Sequence, residues 1–219
     1  MQIPVSPLLF PNSTTNFKYM AKNHTPMARE HIQILKLLRD NSEQKFSINQ
    51  IAKKRKINYK SAYNAIKKLK AEKVIKVEKI ANAKIISLSY KTHPFTFEME
   101  YLRKEKILKN KNFKVLHQWL KELELPFIVL LFGSHAKGNS NKHSDIDLLI
   151  ISDHEEKIDQ KISLLPLPLH CIYVKYKEFI SMALSKEFTA VSESIKDNVL
   201  LFGVDEYYRI IENVNKKSS

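Results

Sequence analysis

Two apolar runs joined by a turn and a polar loop constrain the fold of this chain more than any other feature. The first run ends at Gly133 and Ser134, and the second carries Asp145 and Asp147. The chain has only three glycines and two of them lie in this segment, so we expect them where the backbone requires glycine. Because Asp145 and Asp147 flank a single residue, their carboxylates point to the same face of a strand. The segment therefore predicts two strands with a carboxylate pair opposite the turn.

The spacing of these residues resembles a known signature. Gly133 and Ser134, ten further residues, and then Asp145 and Asp147 resemble the motif of the DNA polymerase β-like nucleotidyltransferases, most closely their minimal, antitoxin-type branch. The resemblance implies a small α/β domain with a mixed sheet and flanking helices. In that family the Gly-Ser turn holds nucleotide phosphates and the aspartate pair binds divalent metal. It further implies transfer of a nucleoside monophosphate from an NTP, ATP being the first choice, to an acceptor hydroxyl.

The chemistry of the residues agrees with that implication. Mg²⁺, or Mn²⁺ in its place, prefers oxygen ligands, commonly one or two carboxylates completed by phosphate and water oxygens. Asp145 and Asp147 supply such carboxylates, and free backbone N–H groups at a strand-to-helix junction beside Ser134 favour a phosphate. Gly133 and Lys137, which lies within the first turn after Ser134, complete the candidate nucleotide-binding set. A solvated loop leading into an ordinary strand is the alternative.

A third carboxylate, common in family members that catalyse transfer, is missing from the strand expected over residues 167–174. His170 occupies about that position and could act as a general base, because histidine exchanges protons near neutral pH. A histidine packed within the strand is the simpler interpretation. The aspartate pair therefore supports metal and nucleotide binding more firmly than turnover. An enzyme and a regulator or antitoxin that binds nucleotide without catalysis are competing interpretations.

Positive charge is concentrated upstream of this segment. The formal net charge of the chain is +14, and residues 27–91 hold 17 Lys and Arg against 5 Asp and Glu, a balance of +12. The other 154 residues therefore carry only +2. Such asymmetry predicts that the upstream part binds a polyanion.

Three helices followed by two strands are predicted in the basic region. The first helix is expected over residues 25–39 from its apolar spacing. The second begins after Ser47, which forms a capping box with Gln50, and the third begins after Asn58 and ends near Glu72. Strand-like runs at residues 74–80 and 83–90 follow. This order resembles the winged helix-turn-helix domains of small transcription regulators.

The winged-helix resemblance implies binding of double-stranded DNA, with the third helix in the major groove and the hairpin on the backbone. The residues expected to contact DNA share the exposed face of the third helix: Tyr59, Lys60, Ser61, Tyr63, Asn64, Lys67 and Lys68. A homodimer that reads paired half-sites is a further possibility. A lysine-rich solvated face and a protein-interaction module are the alternatives.

The whole chain is accordingly expected to be an α+β protein. The predicted divisions are an N-terminal extension (residues 1–24), a winged helix-turn-helix domain (25–91), a helical connector (92–125), a nucleotidyltransferase core (126–184) and a C-terminal helical segment (185–219). The connector is expected to be helical between residues 99 and 123, as one helix or as two with a break near residues 110–112. One helix is predicted over residues 192–214.

No stretch of the sequence has the length and apolar content of a membrane span, so we expect no membrane partner and a cytoplasmic protein. Its single cysteine, Cys171, lies in an apolar strand pattern and is expected in the core. The antitoxin-type resemblance adds a cognate toxin protein as a potential partner, alongside NTP and DNA.

Overall fold

The structure is a computed structural model that describes residues 26–81, 83–185 and 194–217. In its upstream half, the described residues form three helices and three short strands. They are α1 (Pro26–Arg39), β1 (Phe46–Ser47), α2 (Ile48–Arg55), α3 (Tyr59–Ala71), β2 (Ile75–Ile80) and β3 (Ala83–Leu88). These strands form an antiparallel sheet in the order β1-β3-β2, and the two-residue strand β1 is the only one of its elements that the sequence did not predict.

Local capping chemistry sets the starts of α2 and α3. The Ser47 hydroxyl accepts from the backbone N–H of Gln50, and the Gln50 side chain accepts from the backbone N–H of Ser47. The Asn58 side chain accepts from the backbone N–H of Ser61 over 2.8 Å. Both predicted caps are confirmed. Each stabilises its helix because a side-chain acceptor satisfies an N–H group that has no partner within the helix. Thr25, the cap expected for the first helix, lies outside the described residues.

The downstream half combines a second sheet with helices on both faces. Its elements are α4 (Pro94–Ile107), α5 (Lys111–Lys121), β4 (Ile128–Leu131), α6 (Gly133–Lys137), β5 (Ile146–Ile151), α7 (Glu155–Ile162), β6 (Leu169–Val174), α8 (Tyr176–Leu184), β7 (Val199–Phe202) and α9 (Val204–Lys217). The sheet has the order β6-β5-β4-β7, with β5 and β6 parallel and the other pairs antiparallel. The predicted α+β class and mixed sheet are confirmed, and the connector helix breaks into two between Ile107 and Lys111.

The helix predicted over residues 192–214 is wrong in part, because Val199–Phe202 forms strand β7 beside β4. A short apolar run fits a buried strand and a buried helix equally well, so periodicity cannot separate them. Gly203 ends the strand at φ +71°, where a Cβ would collide with the backbone of Phe127 and Ile128. Helix α9 starts only after this turn.

The second sheet has a buried core on each face. Along β4, Ile128 and Leu130 join the core that also contains the upstream helices and α9, whereas Val129 and Leu131 join the core formed with α5 and α7. This alternation follows from the period of two along a strand. The upstream half therefore packs through a shared core against the sheet that carries the aspartate motif. Within the described residues, no helix is long and apolar enough to cross a bilayer.

A buried charged network also ties α1 to the downstream half. Glu100 on α4 accepts hydrogen bonds from Arg39 of α1 (3.3 Å), from Arg103 (2.7 Å) and from the Tyr208 hydroxyl of α9 (2.7 Å). Arg39 also donates to the Asn198 side chain over 2.7 Å. The Glu100 and Arg39 side chains have no solvent exposure, so each charge depends on its protein partners for stabilisation.

Candidate active site

The turn after β4 brings the Gly-Ser pair to the amino end of β5. Gly133 opens the five-residue helix α6 at φ +66°, and Gly138 ends it at φ +75°. The backbone N–H of Phe132 donates to the carbonyl of Asp147 over 3.0 Å, which continues the pairing of β4 with β5. Glycine is the residue that adopts such backbone angles without strain, as the sequence predicted for this segment.

Gly133 and Asp147 are in direct contact. A Cβ placed on Gly133 would collide with the Asp147 carboxylate, whereas one placed on Gly138 would meet nothing within 4 Å. Gly133 is therefore required both by its backbone angle and by the closeness of the carboxylate. The turn and Asp147, which the sequence placed opposite each other, lie side by side.

Asp145 immediately precedes β5 and is exposed, whereas Asp147 lies within the strand and is half-buried. Asp147 therefore lies against the Gly133 turn, and Asp145 is two residues before it, next to the first residue of the same strand. The preceding loop is held by a bond from the backbone N–H of Asn141 to the Ser144 hydroxyl over 2.9 Å. His135 of α6 contacts the Ser144 carbonyl through Nε2 at 3.2 Å, which joins the loop to the Gly133 turn.

His170 faces Asp147 across the parallel strands β5 and β6. The two residues are register partners, and His170 Nδ1 lies 3.0 Å from Asp147 Oδ1. The His170 side chain is 63% exposed, so the interpretation of a histidine packed within the strand is wrong. The parallel register, which sequence alone does not reveal, puts this ring at the open edge where β5 and β6 begin.

The other predicted residues of this site are less closely tied to the aspartates. Ser134 is half-buried at the start of α6, and Lys137 is exposed at its end. The sequence did not single out Phe113 of α5, whose ring packs edge-on against His135 with centroids 5.2 Å apart. Nothing in the sequence distinguishes an apolar helix residue that lies beside a site from one that only packs in the core. Cys171 is half-buried, and burial raises the pKa of its thiol to about 11, so it remains protonated at neutral pH.

The donor chemistry of the site fits a hard divalent cation. Asp145 and Asp147 are two carboxylates, and Mg²⁺ is usually held by one or two carboxylates together with phosphate and water oxygens. In the described part of the chain, no group of three or more His, Cys, Asp and Glu side chains is arranged as a metal site. The protein's own donors would therefore need oxygens from a bound nucleotide to complete the coordination.

The predicted DNA-contact residues lie together on α3. All seven (Tyr59, Lys60, Ser61, Tyr63, Asn64, Lys67 and Lys68) are exposed. The opposite face of the helix is buried through Ala62, Ala65, Ile66 and Leu69, as the spacing predicted. The Tyr59 and Tyr63 rings stack with centroids 6.2 Å apart, and Lys68 lies over the ring of Phe95 at 5.8 Å.

Comparison with known proteins identifies the downstream half. Residues 114–216 match the family model of the nucleotidyltransferase domain. The chain is also 32% identical over 114 residues to a Methanocaldococcus jannaschii protein that is provisionally named a protein adenylyltransferase, covering 49% of this chain and 73% of the relative. No solved structure matches the chain. With the motif, the sheet and these matches in agreement, the chain belongs to the nucleotidyltransferase domain family.

Proposed function

We propose that this protein transfers a nucleoside monophosphate, with ATP as donor, to a hydroxyl of an acceptor protein. The contact between Gly133 and Asp147 carries the proposal, because it brings a glycine turn suited to phosphates against a carboxylate suited to a cation. The relative named as a protein adenylyltransferase supports AMP as the transferred group and protein as the acceptor.

In the proposed reaction, the acceptor hydroxyl oxygen forms a bond to the α-phosphorus of ATP. The bond from that phosphorus to the bridging oxygen breaks, pyrophosphate leaves with the electron pair, and the hydroxyl proton passes to a base or to water. Gly133 and Ser134 would hold the phosphates through the backbone of the turn, and Lys137 would supply a positive charge nearby. His170 would orient Asp147 through their 3.0 Å contact or accept the hydroxyl proton.

Asp145 and Asp147 would hold Mg²⁺ or Mn²⁺. A divalent cation bound there would supply positive charge that stabilises the phosphoryl oxygens in the transition state. The two carboxylates would bring that charge beside the turn, since Asp147 already contacts Gly133. A protein that binds ATP without transferring AMP would have the same residues, so binding and transfer have to be measured separately.

The test of the proposal is calorimetric titration of the intact protein with ATP, in Mg²⁺, in Mn²⁺ and in EDTA. We expect binding that requires a divalent cation, followed by incorporation of label from α-³²P-ATP into protein substrates. If the folded protein binds none of the four NTPs in the presence of either metal, the proposal is overturned. Binding of ATP without incorporation of label into any protein would instead favour a regulator that binds nucleotide without catalysis.

The contact of Gly133 with Asp147 yields a matched pair of variants. Gly133→Ala should lower nucleotide transfer by about 10²-fold, because the added Cβ displaces the Asp147 carboxylate and a shift of about 1 Å can cost that much. Gly138→Ala is the control, since Gly138 has a similar positive φ of +75° but open space around it. Both variants should lose about 1 kcal/mol of stability from the backbone angle. Equal transfer rates in the two variants would contradict the assigned role of Gly133.

The contact of His170 with Asp147 predicts a second variant with a lowered rate of nucleotide transfer. His170→Ala should lower the transfer rate by about 10- to 100-fold, because Asp147 loses its orienting partner and the acceptor loses a potential base. His154→Ala is the control, since His154 is exposed beyond the other end of β5. Single-turnover rates at saturating ATP separate an effect on transfer from one on binding. Unchanged rates for His170→Ala would exclude both roles.

A second function rests on the upstream half, which we propose is a winged-helix domain that binds double-stranded DNA. Seven polar or aromatic residues are exposed on α3, and the region from 27 to 91 has a balance of +12. Contacts of lysines with phosphates would give affinity, while Asn64 and Ser61 could contact base edges. An antitoxin that modifies a cognate toxin and represses its own operon, as a homodimer on paired half-sites, would combine both functions.

The DNA proposal is tested by fluorescence anisotropy with a labelled duplex at increasing salt. We expect binding that weakens steeply with salt, and a Lys60→Glu/Lys67→Glu variant should lower the affinity and reduce the dependence on salt. Lys106→Glu/Lys111→Glu, which changes exposed lysines on α4 and α5, is the control with the same net charge. Equal losses in the two variants would mean that α3 has no particular role.

A further inference from the structure

A basic groove lies between α4 and α5, outside the proposed nucleotide site. It has a volume of about 420 Å³ and is lined by Glu105, Leu108, Lys109, Lys114, His117, Gln118 and Lys121. Three of these side chains are lysines and one is a glutamate. Among the described residues, none of the three lysines forms an ion pair or a side-chain hydrogen bond within the chain. Clustered, unpaired positive charges create a local field that attracts an anionic partner.

The floor of the groove is weakly polar and carries no charge. The His117 ring stacks on Phe202 at the end of β7, with centroids 4.5 Å apart and an interplanar angle of 20°. Burial, together with the charges of Lys104 and Lys121, lowers the pKa of His117 to about 4, so its ring is neutral at physiological pH. Leu108 adds an aliphatic surface. The groove thus combines a weakly polar floor with a positively charged rim.

The groove is connected to the proposed active site through α5. Phe113, the residue before Lys114, packs on His135 of α6, which begins at Gly133. Lys114 and Lys121 are seven residues apart, and a helix rises 1.5 Å per residue, so the groove extends about 10 Å along α5. An extended peptide rises about 3.3 Å per residue and would place roughly three residues in that length.

We infer that this groove docks an acidic peptide segment of the acceptor protein. The inference rests on the proposed function, because it assigns the acceptor a place on the surface beside the nucleotide site. Carboxylates of the segment would meet Lys109, Lys114 and Lys121 at the rim, and its backbone and aliphatic stems would lie on Leu108 and the His117 ring. Sites for single-stranded nucleic acid instead offer several aromatic faces on which successive bases stack, whereas His117 is the one ring among the residues that line this groove.

The experiment uses the full chain and a fluorescein-labelled peptide of alternating glutamate and glycine, followed by anisotropy at low salt. Lys114→Glu/Lys121→Glu should weaken peptide binding by about tenfold, because two attractive charges become repulsive. Lys106→Glu/Lys111→Glu makes the same change in net charge on the two helices that border the groove but outside its lining, and should weaken binding less than about twofold. A short labelled thymidine oligonucleotide is titrated against the same proteins.

The outcomes separate the groove from the nucleotide site. Equal losses in both double variants, or no peptide binding by the wild-type protein, would overturn the inference. If Lys114→Glu/Lys121→Glu weakens binding of the oligonucleotide but not of the peptide, the groove binds nucleic acid and the inference is overturned. ATP titration of the wild-type protein is measured in parallel. Peptide binding that depends on the groove, with no binding of ATP, would keep the docking site and overturn the proposed transfer.

Discussion

Asp147→Asn should lower nucleotide transfer by at least about 10³-fold, the largest catalytic loss that we expect from a single substitution. The side chain sits between the Gly133 turn and His170, so it links all three strands that meet at the site. Asparagine has almost the same shape and can still bond His170, but it removes the negative charge that would bind the cation. We therefore expect a folded protein in which metal-dependent ATP binding and transfer are both lost.

The measurement is the initial rate of label transfer from α-³²P-ATP, together with calorimetry of ATP binding in Mg²⁺. Asp153→Asn is the matched control, since Asp153 is exposed beyond the carboxyl end of the same strand. It should retain the wild-type rate within about twofold, as surface substitutions usually have small effects. Asp145→Asn should give a loss of the same kind as Asp147→Asn. A rate for Asp147→Asn close to that of Asp153→Asn would remove the carboxylate pair from the mechanism.

The parts of this fold that follow local rules could be predicted from the sequence. Ser47 with Gln50, and Asn58 with Ser61, cap their helices through contacts three residues apart, and these contacts need no tertiary information. The contact of Gly133 with Asp147 was also indicated, because a scarce glycine and a paired acid stood at a recognisable spacing. In each case the residue type and its distance along the chain determine the interaction.

The parts that depend on register or on distant contacts could not be predicted. The position of His170 depends on the parallel pairing of β5 with β6, which aligns residues 23 apart along the chain. Strand β7 lies within a stretch that the sequence predicts as helix, because its four apolar residues have no period that separates the two structures. The contact between Arg39 and Glu100 joins residues 61 apart, and each alone resembles an ordinary charged helix residue.

Glu100→Ala should destabilise the protein by about 3–5 kcal/mol, the largest loss of stability that we expect, because it leaves two buried guanidinium groups without their shared carboxylate. Glu100 is fully buried and accepts from Arg39, Arg103 and Tyr208. Burial alone would raise the pKa of Glu100, but the charges of Arg103 and Arg39 hold it below its usual value of 4.5. The ionised carboxylate therefore contributes fully above pH 4.5, and its contribution is lost as the pH falls through the lowered folded-state pKa.

Urea unfolding at neutral pH, followed by circular dichroism, measures the loss. Glu105→Ala on the same helix is the control, since Glu105 is exposed and its removal should change stability by less than about 0.5 kcal/mol. Because Arg39 lies on α1 and Tyr208 on α9, losing their common partner should also weaken the packing of the upstream half against the sheet. Limited proteolysis would then cut between the halves of Glu100→Ala faster than in the control. Equal stability of the two variants would show that Arg39 and Arg103 find other partners, and that the shared core alone holds the two halves together.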